Sequence, residues 1–331
     1  MAEAPHLTDI GNAGFPATTP GTADAGLANL PHFGLIHFSG SDAQSFLHGQ
    51  LSCDVNGLSS GRAQYGSYST SKGRMLASFL LWRDDTGYMM QLPRALCEPI
   101  CKRLSMYILR SKVTARDVSN ELCLFGVTGA NAQVRLQPIF KLIPPTPLAI
   151  TTAGQVSLLR LDAGRLQIIA PTAHAGELKI ALGGDFAAVS PAAWNLMTIR
   201  AGIPFITAAT QDQFVPQMAN LDLIEGVSFS KGCYPGQEIV ARMHYLGKLK
   251  QRMYLANIGG NEVPQPGDKL YSADTGEQAT GMIVNAAPAP EGGHDVLAVL
   301  HITSFHGGDV HFKSPAGPAL KFTTLPYKMP A

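Results

Sequence analysis

The feature of this sequence that most constrains its fold is a strand–turn–strand–helix unit that occurs twice. In the first unit, two β-rich runs within residues 74–92 flank Asp84-Asp85-Thr86-Gly87, and an apolar helical period follows. In the second unit, residues 156–170 repeat this order around Asp162-Ala163-Gly164 and precede another helical stretch. Two such units predict an α+β protein with two related halves.

The two ends of the chain differ from these units in pattern. The first 30 residues are rich in Ala, Gly, Pro and Thr and have no hydrophobic period, which predicts a flexible tail. After Arg252, six short strand-like runs broken by Pro and Gly predict a small antiparallel barrel. The predicted domains are a tail at residues 1–30, an α+β domain at 31–250 with halves at about 31–145 and 146–250, and a C-terminal β-barrel at 251–331.

Composition excludes several classes of protein. Among 331 residues, 25 Lys and Arg oppose 24 Asp and Glu, so the net charge of +1 does not fit a dedicated nucleic-acid binder. No apolar run approaches the ~18 residues of a membrane span, and no signal peptide opens the chain. We therefore expect a cytoplasmic protein that contacts neither membrane nor DNA. Five scattered cysteines indicate reduced thiols. Cys97 and Cys101 could share a helix face and bind a metal, but no second Cys or His pair lies nearby, which favours buried thiols. The histidines do not recur at metal-ligand spacing.

The segment Lys231–Glu238 (KGCYPGQE) has the strongest potential for chemistry. Cys233 lies between Gly232 and Gly236, which predicts a tight turn that can hold the thiol at the surface. Positive charge close to Cys233 in sequence favours the thiolate over the thiol. It comes from Lys231 and from the later residues Arg242, His244, Lys248, Lys250 and Arg252. A structural turn with a packed thiol is the alternative, and the residues alone leave both interpretations open.

Residues 242–252 (RMHYLGKLKQR) form the most basic stretch, and no acidic residue occurs from position 239 to position 261. Such a stretch is often only a solvated face. The alternative is a docking surface for carboxylates or phosphates.

The motif Lys231–Glu238 resembles the K-G-C-Y-x-G-Q-E signature of the bacterial YgfZ family. This family is related to mitochondrial iron–sulfur assembly factors and to the glycine-cleavage T-protein, an aminomethyltransferase. The resemblance extends from about residue 33 to residue 253, and the C-terminal region agrees in type. Further matching stretches are GSDA at 40–43, FLHGQ at 46–50, SKGR at 71–74, LRSKV at 109–113, AGIP at 201–204 and FVPQMANL at 214–221.

This resemblance implies a T-protein-like ring of ferredoxin-like α+β subdomains with a C-terminal antiparallel β-barrel, around a channel that binds tetrahydrofolate. It also implies a role in maintaining iron–sulfur enzymes, notably those that thiolate tRNA. Cys233 would be the functional thiol, with Lys231 beside it. The family's aromatic folate contacts map to Phe33 and Trp194. The remaining predicted folate contacts are Arg200, Gln217, Asn220, Tyr234, Gln237 and Glu238, with Arg242, Lys248 and Lys250 for the glutamate tail.

The sequence departs from the T-protein at two positions. The T-protein's catalytic aspartate follows a glycine in a G-x-x-x-D arrangement, whereas the matching run at 72–78 (KGRMLAS) has no carboxylate, and the T-protein's pterin-binding glutamate corresponds to Arg200. Both changes remove a group that could handle a proton or bind the pterin, which argues against aminomethyl transfer. Three functions stay open: a folate-binding accessory protein for iron–sulfur enzymes, a folate-dependent one-carbon transferase with another base, and an RNA-docking module that uses residues 242–252.

Overall fold

The computed structural model describes residues 24–184 and 186–330. Residues 1–23 of the predicted tail lie outside the described residues. The strands are β1 (Gly26–Asn29), β2 (Phe33–Ser39), β3 (Ala63–Ser69), β4 (Met75–Arg83), β5 (Gly87–Pro93), β6 (Thr114–Asp117), β7 (Leu122–Thr128), β8 (Ile150–Ala153), β9 (Val156–Arg160), β10 (Arg165–Pro171), β11 (Ala187–Val189), β12 (Gln251–Ile258), β13 (Lys269–Ser272), β14 (Ala279–Pro288), β15 (His294–His301), β16 (Val310–Phe312) and β17 (Leu320–Thr323). The α-helices are α1 (Ala43–His48), α2 (Arg94–Ser105), α3 (Ala132–Leu136), α4 (Ala175–Gly183), α5 (Pro191–Arg200), α6 (Gln237–Tyr245) and α7 (Ile302–Gly307).

The chain divides into two units, and the first comprises the residues up to Phe33 together with Val118–Trp194. Its six-stranded sheet has the order β11-β1-β7-β10-β9-β8. Ile168 on β10 and Leu178 and Leu182 on α4 belong to one apolar core, so the helix covers this sheet. The second predicted hairpin-plus-helix unit is β9, β10 and α4.

Strand β1 corrects the prediction of a flexible tail for its described part. It pairs in parallel with β11 and antiparallel with β7, and Ala28 is buried. Four residues are too few to show a period in the sequence. Pairing with β7, about 100 residues away, and with β11, about 160 residues away, orders them, because these strands supply the partners for the backbone hydrogen bonds.

The second unit comprises Gly34–Asp117 and the chain from Asn195 onward. Its first sheet has the order β3-β4-β5-β2-β6, and helices α1 and α2 cover it. Phe46 and Leu47 on α1 and Leu96 and Ile100 on α2 lie in the same apolar core as the sheet residues. The first predicted hairpin-plus-helix unit is thus β4, β5 and α2.

The C-terminal strands of this unit form a curled antiparallel sheet, with the order β16-β13-β14-β15-β12-β17. A bridge between His311 and Ala319 brings the two edges together, as a half-barrel requires. Both faces are buried: Tyr254 and Ala256 of β12 join one core, whereas Met253 and Leu255 join another. The alternation follows the two-residue period of a strand. The predicted domain boundaries near residues 145 and 250 stay predictions, because each of the two units combines separate stretches of sequence.

Candidate functional site

The turn that carries Cys233 precedes helix α6 in the second unit. Cys233 is exposed, Cys53 and Cys97 are buried, and Cys101 and Cys123 are half-buried. None of these five cysteines forms a disulfide. Cys233 is therefore the thiol that a reagent or a partner reaches without opening the fold.

Gly236 fixes the C-terminal side of this turn through a close backbone approach. It has a φ of +82°, a left-handed conformation in which glycine carries no steric cost. A Cβ built on it would lie 2.5 Å from the Thr70 carbonyl oxygen and 2.5 Å from the Gly73 Cα. Gly73 also has a positive φ, of +71°. The two glycines let the KGCYPGQE and SKGR segments touch.

Lys231 fixes the N-terminal side of the turn. Its Nζ donates to the carbonyl oxygens of His48, of Leu51 at 2.6 Å and of Cys53 at 3.1 Å. An ammonium group has three donors, so these contacts use all of them. Lys231 therefore tethers the turn to the end of α1 and has no donor left for the Cys233 thiol.

The surroundings of Lys231 are poorly hydrated. Burial lowers the pKa of its amine to about 8, while the nearby Cys53 and Asp54 act in the opposite direction. Its Nζ also lies 4.9 Å from the centre of the Tyr234 ring, in cation–π geometry. Burial raises the pKa of the Tyr234 hydroxyl to about 12, and that hydroxyl has no hydrogen-bond partner among the described residues.

His48 lies on the other side of the turn. Its Nε2 is 3.9 Å from the position that a Cβ on Gly232 would occupy, and its Nδ1 is 3.3 Å from the Asp54 Oδ1. Burial, and next the charge of Lys231, lowers the pKa of His48. Both effects favour the neutral form of this imidazole, which lies next to the peptide that precedes Cys233. Sequence reasoning quoted this histidine only as part of FLHGQ and missed its position, because it is 185 residues away along the chain.

Two glutamines connect helix α6 to its surroundings. Gln237 Nε2 donates to the Lys231 carbonyl oxygen at 3.2 Å, and the buried Gln217 donates to the Val240 carbonyl oxygen at 2.6 Å. The Gln217 Oε1 is buried and has no partner among the described residues. Glu238 is exposed in the first turn of α6, where a carboxylate interacts favourably with the helix dipole.

Two other predicted folate contacts make structural interactions with the C-terminal sheet. Asn220 is fully buried in a left-handed conformation and donates to the Met253 carbonyl oxygen at 2.8 Å. Arg200 donates to Asp295 at 2.7 Å and to Glu291 at 2.7 Å. The hydrogen bond that Arg200 donates to Glu291 is the largest cause of its raised pKa; burial acts in the opposite direction, and the hydrogen bond to Asp295 adds to the increase. Neither side chain is directed to the Cys233 turn by these contacts.

Phe33 and Trp194 belong to the first unit, whereas the other predicted site residues belong to the second. Trp194 is 1% exposed, and its ring lies against Gly126 and 5.6 Å from the Arg165 guanidinium carbon. Phe33 is buried as well. Both rings are thus buried in this structure, and the Arg165 guanidinium lies over the Trp194 ring.

The basic stretch divides into exposed and paired cations. Arg242, Lys248 and Lys250 are exposed, as a tail-binding role requires. Arg252 instead forms a bidentate ion pair with Asp222, in which its two terminal guanidinium nitrogens donate to the two carboxylate oxygens at 2.6 and 2.9 Å. The positive charge of this stretch is therefore smaller at the surface than the sequence suggests.

Two searches of the described residues gave negative results. No group of three or more His, Cys, Asp or Glu side chains in residues 24–184 and 186–330 has a geometry that could hold a metal ion. Within the same residues, no helix combines the length and apolar character of a membrane span.

Sequence comparison places the chain among known proteins. Residues 22–157 match the family model of the GCVT N-terminal domain. The tRNA-modifying protein YgfZ of Colwellia psychrerythraea is 32% identical over 308 residues, which cover 92% of this chain and 93% of that protein. The chain belongs to the YgfZ family. The YgfZ protein of Yersinia pseudotuberculosis is 30% identical over 320 residues, which cover 95% of this chain and 97% of that protein.

A solved structure confirms the predicted fold class of this YgfZ-family chain. The glycine cleavage system aminomethyltransferase T from Bartonella henselae aligns with a TM-score of 0.75 over 92% of this chain and 86% of that one. The two sequences are 17% identical in this alignment. The predicted T-protein-like α+β fold with a C-terminal antiparallel sheet is thus confirmed, and the similarity concerns the fold.

Proposed function

We propose that this protein binds tetrahydrofolate and supports iron–sulfur enzymes, including those that thiolate tRNA, with Cys233 as its functional thiol. The observation that carries the proposal is the exposed Cys233 on a turn that is held at both ends, by Lys231 and by Gly236. A thiol needed only for packing would be buried, as Cys53 and Cys97 are.

The comparisons support the other parts of the proposal. The curated relatives are named tRNA-modifying proteins, which supports a role in tRNA modification. The fold is that of an aminomethyltransferase of the glycine cleavage system, which supports a folate ligand. We propose Phe33, Trp194, Arg200, Gln217, Asn220, Tyr234, Gln237 and Glu238 as its contacts, with Arg242, Lys248 and Lys250 for the glutamate tail.

Two alternatives receive less support. A one-carbon transferase needs a proton-transfer group, but the run that matches the T-protein motif ends in Ala77-Ser78 without a carboxylate. Ala77 is buried, and the Ser78 hydroxyl is buried between the Pro204 carbonyl oxygen and the Ile206 amide. An RNA-docking module needs several exposed cations that act together, and the ion pair with Asp222 removes Arg252 from that set.

Complementation with Cys233→Ala tests the role of the thiol. In a bacterial strain that lacks its own YgfZ protein, we expect the variant to leave tRNA thiolation unrestored while its melting temperature stays within about 2 °C of the wild type. Cys101→Ala is the matched control, because this half-buried thiol lies on α2, and it should restore thiolation. Normal thiolation with Cys233→Ala would show that the thiol is not functional.

A further inference from the structure

A cavity of about 750 Å³ lies beside the C-terminal half-barrel in the second unit. Strands β12 and β17, helix α7 and the chain that follows β17 supply its walls. Its volume lies within the ~300–1,000 Å³ that is typical of sites for small ligands. None of the residues discussed at the Cys233 turn lines it.

Aromatic rings form the apolar part of this cavity. Tyr254 and Phe305 stack with their ring centres 3.8 Å apart and an interplanar angle of 14°. The Phe322 ring meets both edge-on, at 6.2 Å from Tyr254 and 5.0 Å from Phe305. The side chains of Leu325 and Met329 extend this surface. Such a wall favours a ligand with an apolar or aromatic body.

The charges at the cavity are of one sign. Lys248, Arg252 and His306 line it, and no aspartate or glutamate is among its described lining residues. Asp222 neutralises Arg252, as its paired hydrogen bonds show. Lys248 is exposed and forms no ion pair with any residue in the described part of the chain. Lys248 is therefore the cation that is available to an anionic group.

We propose that this cavity binds a small organic acid, with its apolar body against the aromatic wall and its single anionic group at Lys248. The combination of a concave apolar wall with one uncompensated cation at the edge selects such a ligand. A polyanion such as RNA would instead require a row of exposed cations and would leave the aromatic wall unused. The proposal does not rest on the folate or the thiol role.

The probes are 1-naphthylacetate and its neutral analogue 1-naphthylacetamide, each used to displace 8-anilinonaphthalene-1-sulfonate from the full-length protein. We expect the acid to bind about threefold to tenfold more tightly than the amide, since only the acid offers a full negative charge to the partly exposed Lys248. Equal affinities would overturn the assignment of an anionic group to Lys248.

Variants locate the probe. Lys248→Met should weaken binding of the acid about threefold to tenfold, which corresponds to a partly exposed charged contact. Thr324→Trp, at an exposed lining position, should fill the cavity and abolish binding. Lys250→Met is the matched control, because Lys250 is exposed two residues away and does not line the cavity, and it should change the affinity by less than about twofold.

Two further controls exclude other sites. Leu109 is 87% exposed in an apolar loop after α2, so Leu109→Ser should leave probe binding unchanged if the cavity holds the probe. Because Lys248 is also a proposed contact of the folate glutamate tail, the competitor is 6-methyltetrahydropterin, which carries the reduced ring without that tail, and it should not displace the probe. Displacement by this pterin would assign the cavity to the folate ring and overturn the proposal of a separate site, as would normal probe binding to Thr324→Trp. A failure of folate to bind anywhere would contradict only the proposed function.

Discussion

Gly236 packs directly on Gly73, so that a Cβ on Gly236 would lie 2.5 Å from the Gly73 Cα. This contact joins two segments that are more than 150 residues apart in sequence. On one side of it α6 begins at Gln237, and on the other side β4 begins at Met75. The position of the Cys233 turn therefore depends on a backbone contact that excludes every side chain at Gly236.

The contact predicts a large effect for Gly236→Ala. The left-handed φ costs an alanine ~1–2 kcal/mol, and the clash with backbone atoms adds to this, so we expect the free energy of unfolding to fall by about 2 kcal/mol or more. Urea denaturation measures the change. Gly232→Ala is the matched control, because its added Cβ meets only the His48 Nε2, at 3.9 Å, and its stability should change by less than about 0.5 kcal/mol. Equal losses in the two variants would contradict the role of the glycine contact.

The buried amine of Lys231 predicts a pH-dependent contribution to stability. Its pKa is about 8 in the folded protein and 10.5 for an ordinary lysine. Between these values the folded state has released the proton while the unfolded state retains it. The unfolded state then binds more protons, so the free energy of unfolding rises with pH in this window.

The measurement compares the wild type with Lys231→Met by urea denaturation from pH 7 to pH 10. We expect the stability difference between them to shift in favour of the wild type as the pH increases above about 8, because the cost of burying the charge disappears. Other titrating groups cancel in the difference. Lys231→Arg, which stays charged throughout this range, should show no such rise. A difference that is constant with pH would rule out a lowered pKa.

The pair Ala77-Ser78 predicts that this protein fails as an aminomethyltransferase, because it offers no carboxylate as a proton-transfer group where the T-protein has its aspartate. Both residues are buried, and the Ser78 hydroxyl donates to the Pro204 carbonyl oxygen at 2.9 Å. A proton-transfer group supplies about 100- to 10,000-fold in rate. A coupled assay for methylenetetrahydrofolate, with a true T-protein as positive control, should detect no turnover above background.

Ser78→Asp tests whether the missing carboxylate can be restored. We expect the variant to lose about 2 kcal/mol or more of stability rather than to gain activity, since a buried carboxylate would replace a hydroxyl that is fully hydrogen-bonded. Turnover by the wild type would instead favour the one-carbon transferase.

The proposed folate site predicts a fluorescence change at Trp194. The chain has two tryptophans, and Trp82 lies in β4, so Trp82→Phe leaves Trp194 as the single reporter. Reduced folate should quench this signal and release heat in calorimetry, because a pterin that stacks on the indole changes the surroundings of the reporter. In the wild type, Trp194→Phe should remove most of the quenching. The absence of both quenching and heat would refute the ligand.

Local patterns predicted much of the fold. The hairpins β4–β5 and β9–β10, the helices that follow them and all six C-terminal strands could be predicted because each depends on apolar period and turn residues close in sequence. Strand β1 could not, since its order comes from pairing with β7 and β11. The YgfZ family was also recognisable from the KGCYPGQE motif, and the 32% identity to the YgfZ protein of Colwellia psychrerythraea shows the same family.

The sequence by itself determined that Cys233 occupies a glycine-flanked turn, because backbone conformation there depends on residue type. Only the tertiary structure decided what surrounds that turn. It directed the Lys231 amine to three carbonyl oxygens instead of the thiol, placed His48 beside Gly232 and paired Arg252 with Asp222. Hydrogen bonds and ion pairs between distant segments depend on how the chain folds in space. The spacing of residues along the sequence therefore does not predict which of these side chains become partners.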